Sequence, residues 1–135
     1  MRTLLKTVLV MFAATQMIAC TKENAAPAPT PVSSNIAGDF EVSLFRSIDD
    51  QTATFQGYTF EFNGGTIKAT KDAEIVTGTF TKDDDGSNEF KIRFSSAPLN
   101  KLNKGWLIES ITADKIALVD DNPSGDDRLE FRKHN

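Results

Sequence analysis

Few side chains in this chain of 135 residues have the types and spacing that chemistry requires. There is one cysteine, Cys20, and one histidine, His134, which is the penultimate residue. A histidine in a terminal tail is a poor general base because chain ends are weakly held, so we expect neither a Ser-His-Asp triad nor a histidine-based metal site. No serine lies in a nucleophile-elbow pattern and no glycine-rich phosphate loop opens a helix. The sequence therefore predicts a protein that is not an enzyme and has no cofactor.

Two aspartate-rich segments are the remaining candidates for a metal site. Residues 83–86, Asp-Asp-Asp-Gly, are similar to part of a calcium loop of the EF-hand type, which needs an acidic residue at both its ends. With Gly86 in the glycine position, Thr81 and Ile92 fall where those two end ligands are required. Asp and Gly are also the residues that tight turns favour. We therefore predict a hairpin turn without a metal here, and the same for residues 120–127.

Cys20 has a different candidate chemistry, which its surroundings indicate. Arg2 and Lys6 give the chain a positive start, and residues 7–18 are largely apolar. A run of about a dozen residues fits the core of a signal peptide and is short for a membrane span. Ala19 places a small residue directly before Cys20, where a peptidase would cut. As the only cysteine, Cys20 cannot form an intrachain disulfide.

This stretch resembles the signal and lipobox of bacterial lipoproteins, whose usual pattern is Leu, a small residue, Gly or Ala, and then Cys. Met17 and Ile18 occupy the first two positions here. The resemblance implies a signal peptide over residues 1–19 and acylation of Cys20, which becomes the new N-terminus. The alternative is an ordinary secreted protein. The general signal peptidase needs small residues one and three before its cut, and Met17 breaks that pattern.

Residues 20–34 are expected to be the lipidated N-terminus and a linker rich in proline and alanine. Three prolines alternate with small residues, a composition that favours an extended spacer and cannot bury enough surface to fold. We therefore expect the acyl chains on Cys20 to anchor a domain to the cell outer membrane. That domain would lie on the periplasmic face or, since Lys22-Glu23 resembles the export tags of some lipoproteins, on the cell surface.

Length and charge limit the class of partner. Without residues 1–19, 116 residues remain, enough for one domain. They carry 13 basic and 19 acidic residues, for a net charge of −6. Nucleic acids require a basic surface, so we expect no nucleic-acid partner. We expect the protein to be a monomer.

From residue 35 onward, apolar and polar residues alternate with a period of two, which is typical of strands. In the first strand the alternation places Phe40, Val42 and Leu44 on one face and Phe45 on the other. Gly78, in the middle of a later strand, indicates a bend or a close approach of another backbone. The pattern predicts eight strands: 40–45, 58–62, 66–70, 74–81, 88–94, 106–111, 115–120 and 128–133.

Short turns between these strands favour an all-β fold, an antiparallel up-and-down meander that closes into a small barrel. Pro98 predicts one short helical turn near residues 98–104. A barrel of eight strands has just enough interior to fill with side chains or to hold one small ligand. Aromatic and branched residues are numerous at the inward positions, so we expect a packed interior.

Three segments resemble the lipocalin-like domains of bacterial lipoproteins: residues 57–63 (GYTFEFN), 76–80 (VTGTF) and 102–106 (LNKGW). Those domains often contain F-x-F-x-x-x-G, G-x-W and L-x-x-x-W, and Phe80 stands here where tryptophan is commoner. The resemblance covers roughly residues 36–133 and implies that residues 35–135 are the lipocalin-like barrel of a Bacteroidota-type lipoprotein. It implies no catalytic residues.

These observations together predict a membrane-tethered lipoprotein whose non-catalytic barrel binds a partner protein or a glycan at the cell envelope. The alternative is a small carrier that holds an apolar ligand in the mouth of the barrel.

Overall fold

The structure is a computed structural model, and it describes residues 36–135. The predicted signal peptide (residues 1–19), the predicted lipidation site Cys20 and the whole of the predicted linker (residues 20–34) lie outside the described residues.

The strands of the described residues form one antiparallel sheet. It closes because the first strand, β1 (Gly38–Ser47), pairs with both β3 (Thr59–Asn63) and the last strand, β9 (Arg128–Lys133). The all-β, up-and-down barrel of eight strands is thereby confirmed, as is the helical turn near residues 98–104. A two-residue strand, β2, and the first 3₁₀ helix, η1, were not predicted. The elements are β1 Gly38–Ser47, β2 Asp49–Asp50, η1 Thr52–Phe55, β3 Thr59–Asn63, β4 Thr66–Lys71, β5 Glu74–Lys82, β6 Glu89–Arg93, η2 Leu99–Leu102, β7 Gly105–Ile111, β8 Lys115–Asp120 and β9 Arg128–Lys133.

A bulge in β1 reverses the predicted faces of its second half. Val42 pairs with Phe131 and Leu44 with Glu130, so Ser43 is an extra residue without a partner. An extra residue shifts the alternation by one. Phe45 is therefore buried in the core and Leu44 only half-buried, and the prediction that grouped Leu44 with Phe40 was wrong.

Side chains fill the barrel interior. Phe60, Phe62 and Phe131 meet at ring-centroid distances of 5.3 Å in edge-to-face contacts. A void large enough for water would leave the surrounding side chains partly accessible, yet the largest inward residues are less than 2% exposed. The packed interior therefore leaves no room for a ligand among these residues: Phe55, Phe60, Phe62, Ile67, Phe90, Ile92, Leu99, Leu102, Trp106, Ile116, Leu118 and Phe131.

Gly78 lies where β6 passes close to β5. A Cβ atom at this position would be 2.5 Å from the carbonyl oxygen of Arg93 and 2.6 Å from the ring of Phe94. Beyond β6 the chain leaves the sheet, and Phe94 is bonded to a side chain instead of a neighbouring strand. Its N–H donates to Oδ1 of Asn103, and its carbonyl accepts from Nδ2 of Asn103, both at 2.6 Å. The close approach predicted from a glycine in mid-strand is therefore present.

The two ends of the barrel differ. At one end, which we call the N-terminal end, Ile36 is buried and Gly38 pairs with Phe62. The other end, which we call the loop end, contains the end of β1, both 3₁₀ helices and residues 121–127. Trp106 closes the loop end from inside, where its indole N–H donates a hydrogen bond of 3.2 Å to the carbonyl of Leu102.

Candidate functional site

A groove of about 520 Å³ lies on the outer wall at the loop end. One wall is a row of residues on three adjacent strands, because Arg46 of β1 pairs with Arg128 of β9, which pairs with Val119 of β8. The other wall is the loop that joins β8 to β9. We call this the rim groove, and it is lined by Arg46, Ile48, Val119, Gly125, Asp126, Asp127 and Arg128.

The loop wall is held by one lysine between two carboxylates. The ammonium group of Lys104 lies 2.5 Å from an oxygen of Asp120 and 2.7 Å from one of Asp127. The hydroxyl of Ser47 donates a hydrogen bond of 3.1 Å to that same oxygen of Asp127. These contacts tie the β8–β9 loop to the end of β1 and to the segment before β7. Lys104 also lies over the ring of Trp106, 5.4 Å from its centroid.

Lys104 and Asp120 both keep their charge at neutral pH. Burial alone would lower the pKa of Lys104, but its hydrogen bonds to Asp120 and Asp127 outweigh this, and the pKa is raised. Burial alone would raise the pKa of Asp120, but the hydrogen bonds from Lys104 and from the Asn122 N–H outweigh it, and the pKa is lowered. A lysine that keeps its proton is a poor base or nucleophile, and a carboxylate that keeps its charge is a poor general acid.

Gly125 permits the tight path of this loop. A Cβ atom here would fall 1.9 Å from a carboxylate oxygen of Asp120. Its N–H donates a hydrogen bond of 2.8 Å to the carbonyl of Asn122, whose own N–H donates to Asp120 at 2.9 Å. Any side chain at this position would displace the carboxylate that holds Lys104.

The strand wall carries two arginines with unequal partners. Arg128 donates to both carboxylate oxygens of Glu109 at 2.5 Å, and the hydrogen bonding to Glu109 raises its pKa. Glu109 is the extra residue of a second bulge, between Ile108 and Ser110 in β7. Arg46 is exposed and forms no ion pair within residues 36–135.

Ile48 stands at the rim of the groove, at the tip of the β1–β2 hairpin. Its side chain is 95% exposed, and its φ of 67° lies in the left-handed region. This conformation is an outlier for a β-branched residue. Backbone strain of this kind costs about 1–3 kcal/mol and occurs most often at binding and switch segments.

The residues singled out in the sequence as candidates for chemistry do not come together. His134 is exposed, with its Nδ1 3.4 Å from a carboxylate oxygen of Glu41. In the 83–86 turn the carboxylates face different partners, since Asp83 approaches Lys91, Asp84 contacts Lys82 and Asp85 accepts from the N–H of Ser87. Across residues 36–135, no three histidine, cysteine or acidic side chains are grouped so that they could hold a metal ion.

At the N-terminal end, a cavity of only about 50 Å³ lies beneath the first residues of the barrel. Ile36, Phe40, Ile116 and Thr112 are among the residues that line it. Since one water molecule takes up about 30 Å³ of liquid, this space is far smaller than the pockets that hold small organic ligands.

The rim groove was not predicted from the sequence. Its strand wall depends on the pairing of β1 with β9, which lie at opposite ends of the described chain. The one local signal was the density of aspartate and glycine in residues 120–127, which we interpreted only as a turn.

Comparison with solved structures supports the architecture. The chain is similar to a crystal structure, at 1.00 Å resolution, of a DUF4847 family protein from Bacteroides vulgatus ATCC 8482. The TM-score is 0.54 with 14% sequence identity, and the match covers 73% of this chain and 93% of that one. The barrel fold is shared. No family model and no curated protein matches the chain. At 14% sequence identity, the similarity to the solved structure establishes a shared fold only.

The described residues contain no helix with the length and apolar character needed to cross a bilayer.

Proposed function

We propose that this protein is a lipoprotein, anchored in the cell outer membrane through acyl chains on Cys20, whose non-catalytic, lipocalin-like barrel binds a partner protein or glycan through the rim groove. The observation that carries the proposal is the filled interior. Because residues such as Phe60 and Trp106 are fully buried, binding by residues 36–135 depends on the outer surface.

The direction of the chain supports this use of the groove. Residue 36 is at the N-terminal end of the barrel, whereas Ser47, Ile48 and residues 125–127 are at the loop end. An anchor that precedes residue 36 therefore joins the barrel at the end opposite to the groove. A partner approaching the loop end would meet neither the linker nor the membrane first.

The carrier hypothesis has less support. A carrier needs a cavity that encloses most of its ligand, usually several hundred cubic ångströms lined by apolar groups. The rim groove has the volume, but four of its seven lining residues are charged and it is open to solvent. An apolar ligand would remain largely in water there.

Membrane anchoring is tested by the variant Cys20→Ser. We expect the unchanged protein to incorporate labelled palmitate and to fractionate with outer membranes, and the variant to do neither. Ser34→Ala, changed in the same segment, serves as the control and should behave as the unchanged protein. A Cys20→Ser variant that stays in the membrane fraction would show that acylation is not the anchor.

Partner binding is tested by photo-cross-linking in cells. A photoreactive amino acid at Ile48 should yield a discrete adduct, whereas the same group at Thr79, exposed on the wall of β5, should not. Protease sensitivity of the added mass distinguishes a protein partner from a glycan. Equal labelling from both positions, or none from Ile48, would contradict binding at the rim groove.

A further inference from the structure

The two arginines of the strand wall are adjacent, although nothing in the barrel requires them to be. Arg46 and Arg128 are direct cross-strand partners on the outer face, which places their Cα atoms about 5 Å apart. Like charges in this relation destabilise a sheet. The chain carries a net charge of −4, so this concentration of positive charge is not a general property of its surface.

The pair also retains donors that no group in the barrel uses. A guanidinium group has five N–H donors. Arg128 uses one of its nitrogens to bond Glu109. Glu109 is on β7, and Arg46 is on β1 at the opposite side of β9, so this bond points away from Arg46. Arg46 also faces Asp50, its direct cross-strand partner on β2, which lies on the side of β1 away from Arg128. The two side chains form no ion pair, and the carboxylate of Asp50 instead accepts hydrogen bonds from Thr52. Donors from both side chains remain available to an acceptor placed between them.

The other charges of the groove define where an anion fits. Asp127 shares Lys104 with Asp120 and accepts a hydrogen bond from Ser47, so this cluster keeps one net negative charge. Asp126, which also lines the groove, forms no ion pair within the described residues. An acidic group is therefore attracted to the strand wall and repelled by the loop wall. This polarity favours an extended ligand in one orientation.

Ile48 indicates which class of anion is involved. Its exposed side chain offers an apolar contact at the rim beside Arg46, and no aromatic side chain lines the groove to stack against a sugar ring. Arginine together with apolar contact is typical of protein interfaces. We propose that the rim groove binds an acidic segment of a partner protein, whose carboxylates pair with Arg46 and Arg128 and whose neighbouring apolar side chain packs on Ile48. This inference rests on the proposed function and deepens it.

The test uses the full-length protein in detergent micelles and fluorescence anisotropy of short labelled peptides. We expect a peptide of alternating glutamate and leucine to bind at least about tenfold more tightly than one of alternating lysine and leucine. Arg46→Glu should weaken binding of the glutamate peptide by about tenfold or more. Arg46→Lys should weaken it less, because lysine keeps the positive charge but lacks the planar guanidinium group. Arg132→Glu, on the same strand as Arg128 but at the N-terminal end, is the matched control and should change the affinity less than about twofold.

Three results would overturn the inference. They are binding that Arg46→Glu leaves unchanged, tighter binding of oligogalacturonate than of the glutamate peptide, and no peptide binding up to about 1 mM. The cross-linking experiment separates this inference from the proposed function. If adducts still form at Ile48 while the glutamate peptide fails to bind, only the acidic class of partner is wrong.

Discussion

Lys104 and Asp127 lie 2.7 Å apart at the loop end of the barrel, and the hydroxyl of Ser47 donates to the same carboxylate oxygen at 3.1 Å. Three separate segments of the chain thus meet at one oxygen. Asp120, on the strand before the loop, supplies a second carboxylate to Lys104. This cluster fixes the loop wall of the rim groove, so the stability of the cluster and the shape of the groove should change together.

Replacing Lys104 by methionine should destabilise the protein by about 1–3 kcal/mol. The substitution keeps the contact with Trp106 but leaves Asp120, whose side chain is only 5% exposed, without its cation. A buried charge that loses its partner keeps the full cost of its desolvation. Urea unfolding measures the effect. Lys101→Met, which removes only an exposed contact to Gln51, is the control, and equal losses in the two variants would contradict the role of the cluster.

Acid should weaken the contribution of Asp120. The pKa of Asp120 is lower in the folded protein than in the unfolded chain, so folding favours the ionised form. The stabilisation is complete above the unfolded pKa and is lost as the pH falls through the folded one. The free energy of unfolding should therefore differ most between the protein and its Asp120→Asn variant near neutral pH, and the two curves should converge below about pH 4. A difference that stays constant down to pH 2 would contradict this assignment.

Gly125→Ala should cost about 2 kcal/mol, since the new methyl group would overlap a carboxylate oxygen of Asp120 and force the loop to move. Gly64→Ala separates this steric effect from backbone strain. Gly64 has a φ of 55° with open space around its Cβ position, so its variant should lose only about 1 kcal/mol. Thermal and urea unfolding check both values. The reverse order would indicate that the loop adapts easily.

Because of the β1 bulge, truncating the adjacent residues Leu44 and Phe45 should reduce stability by very different amounts. Phe45→Ala should cost about 3–5 kcal/mol because Phe45 is buried against Phe55 and Trp106. Leu44→Ala should cost about 1 kcal/mol, as Leu44 is only half-buried. Strict alternation through Ser43 predicts the reverse, so the two unfolding curves decide between the bulged and the regular strand.

The same bulge marks the limit of what the sequence could predict. The eight strands of the barrel, their order and the turn at η2 follow from local patterns such as the alternation around Ile92 and the position of Pro98, whereas the short strand β2 does not. A bulge at Ser43 or Glu109 depends on the partner strand, and no local pattern indicates it. The rim groove depends on the pairing of Arg46 with Arg128, which closes the barrel between distant parts of the chain. Lys104, which holds the loop wall of the groove, comes from a third segment, so the site could be recognised only in the folded chain.

Ile48→Gly should stabilise the protein while weakening partner binding. At a φ of 67° an isoleucine is strained and a glycine is not, so the exchange should add about 1 kcal/mol to the free energy of unfolding.

Ile75→Gly is the matched control. Ile75 is also exposed but lies within β5, where glycine lacks both side-chain contacts and strand propensity, so that variant should lose about 1 kcal/mol. Urea unfolding gives both values, and a pull-down with the cross-linked partner should show binding reduced for Ile48→Gly and unchanged for Ile75→Gly. If Ile48→Gly destabilised the fold, Ile48 would have a structural role in the hairpin, and its exposure would not indicate a binding surface. A variant that is more stable but binds the partner less well is expected only if the strained apolar side chain of Ile48 serves to contact that partner.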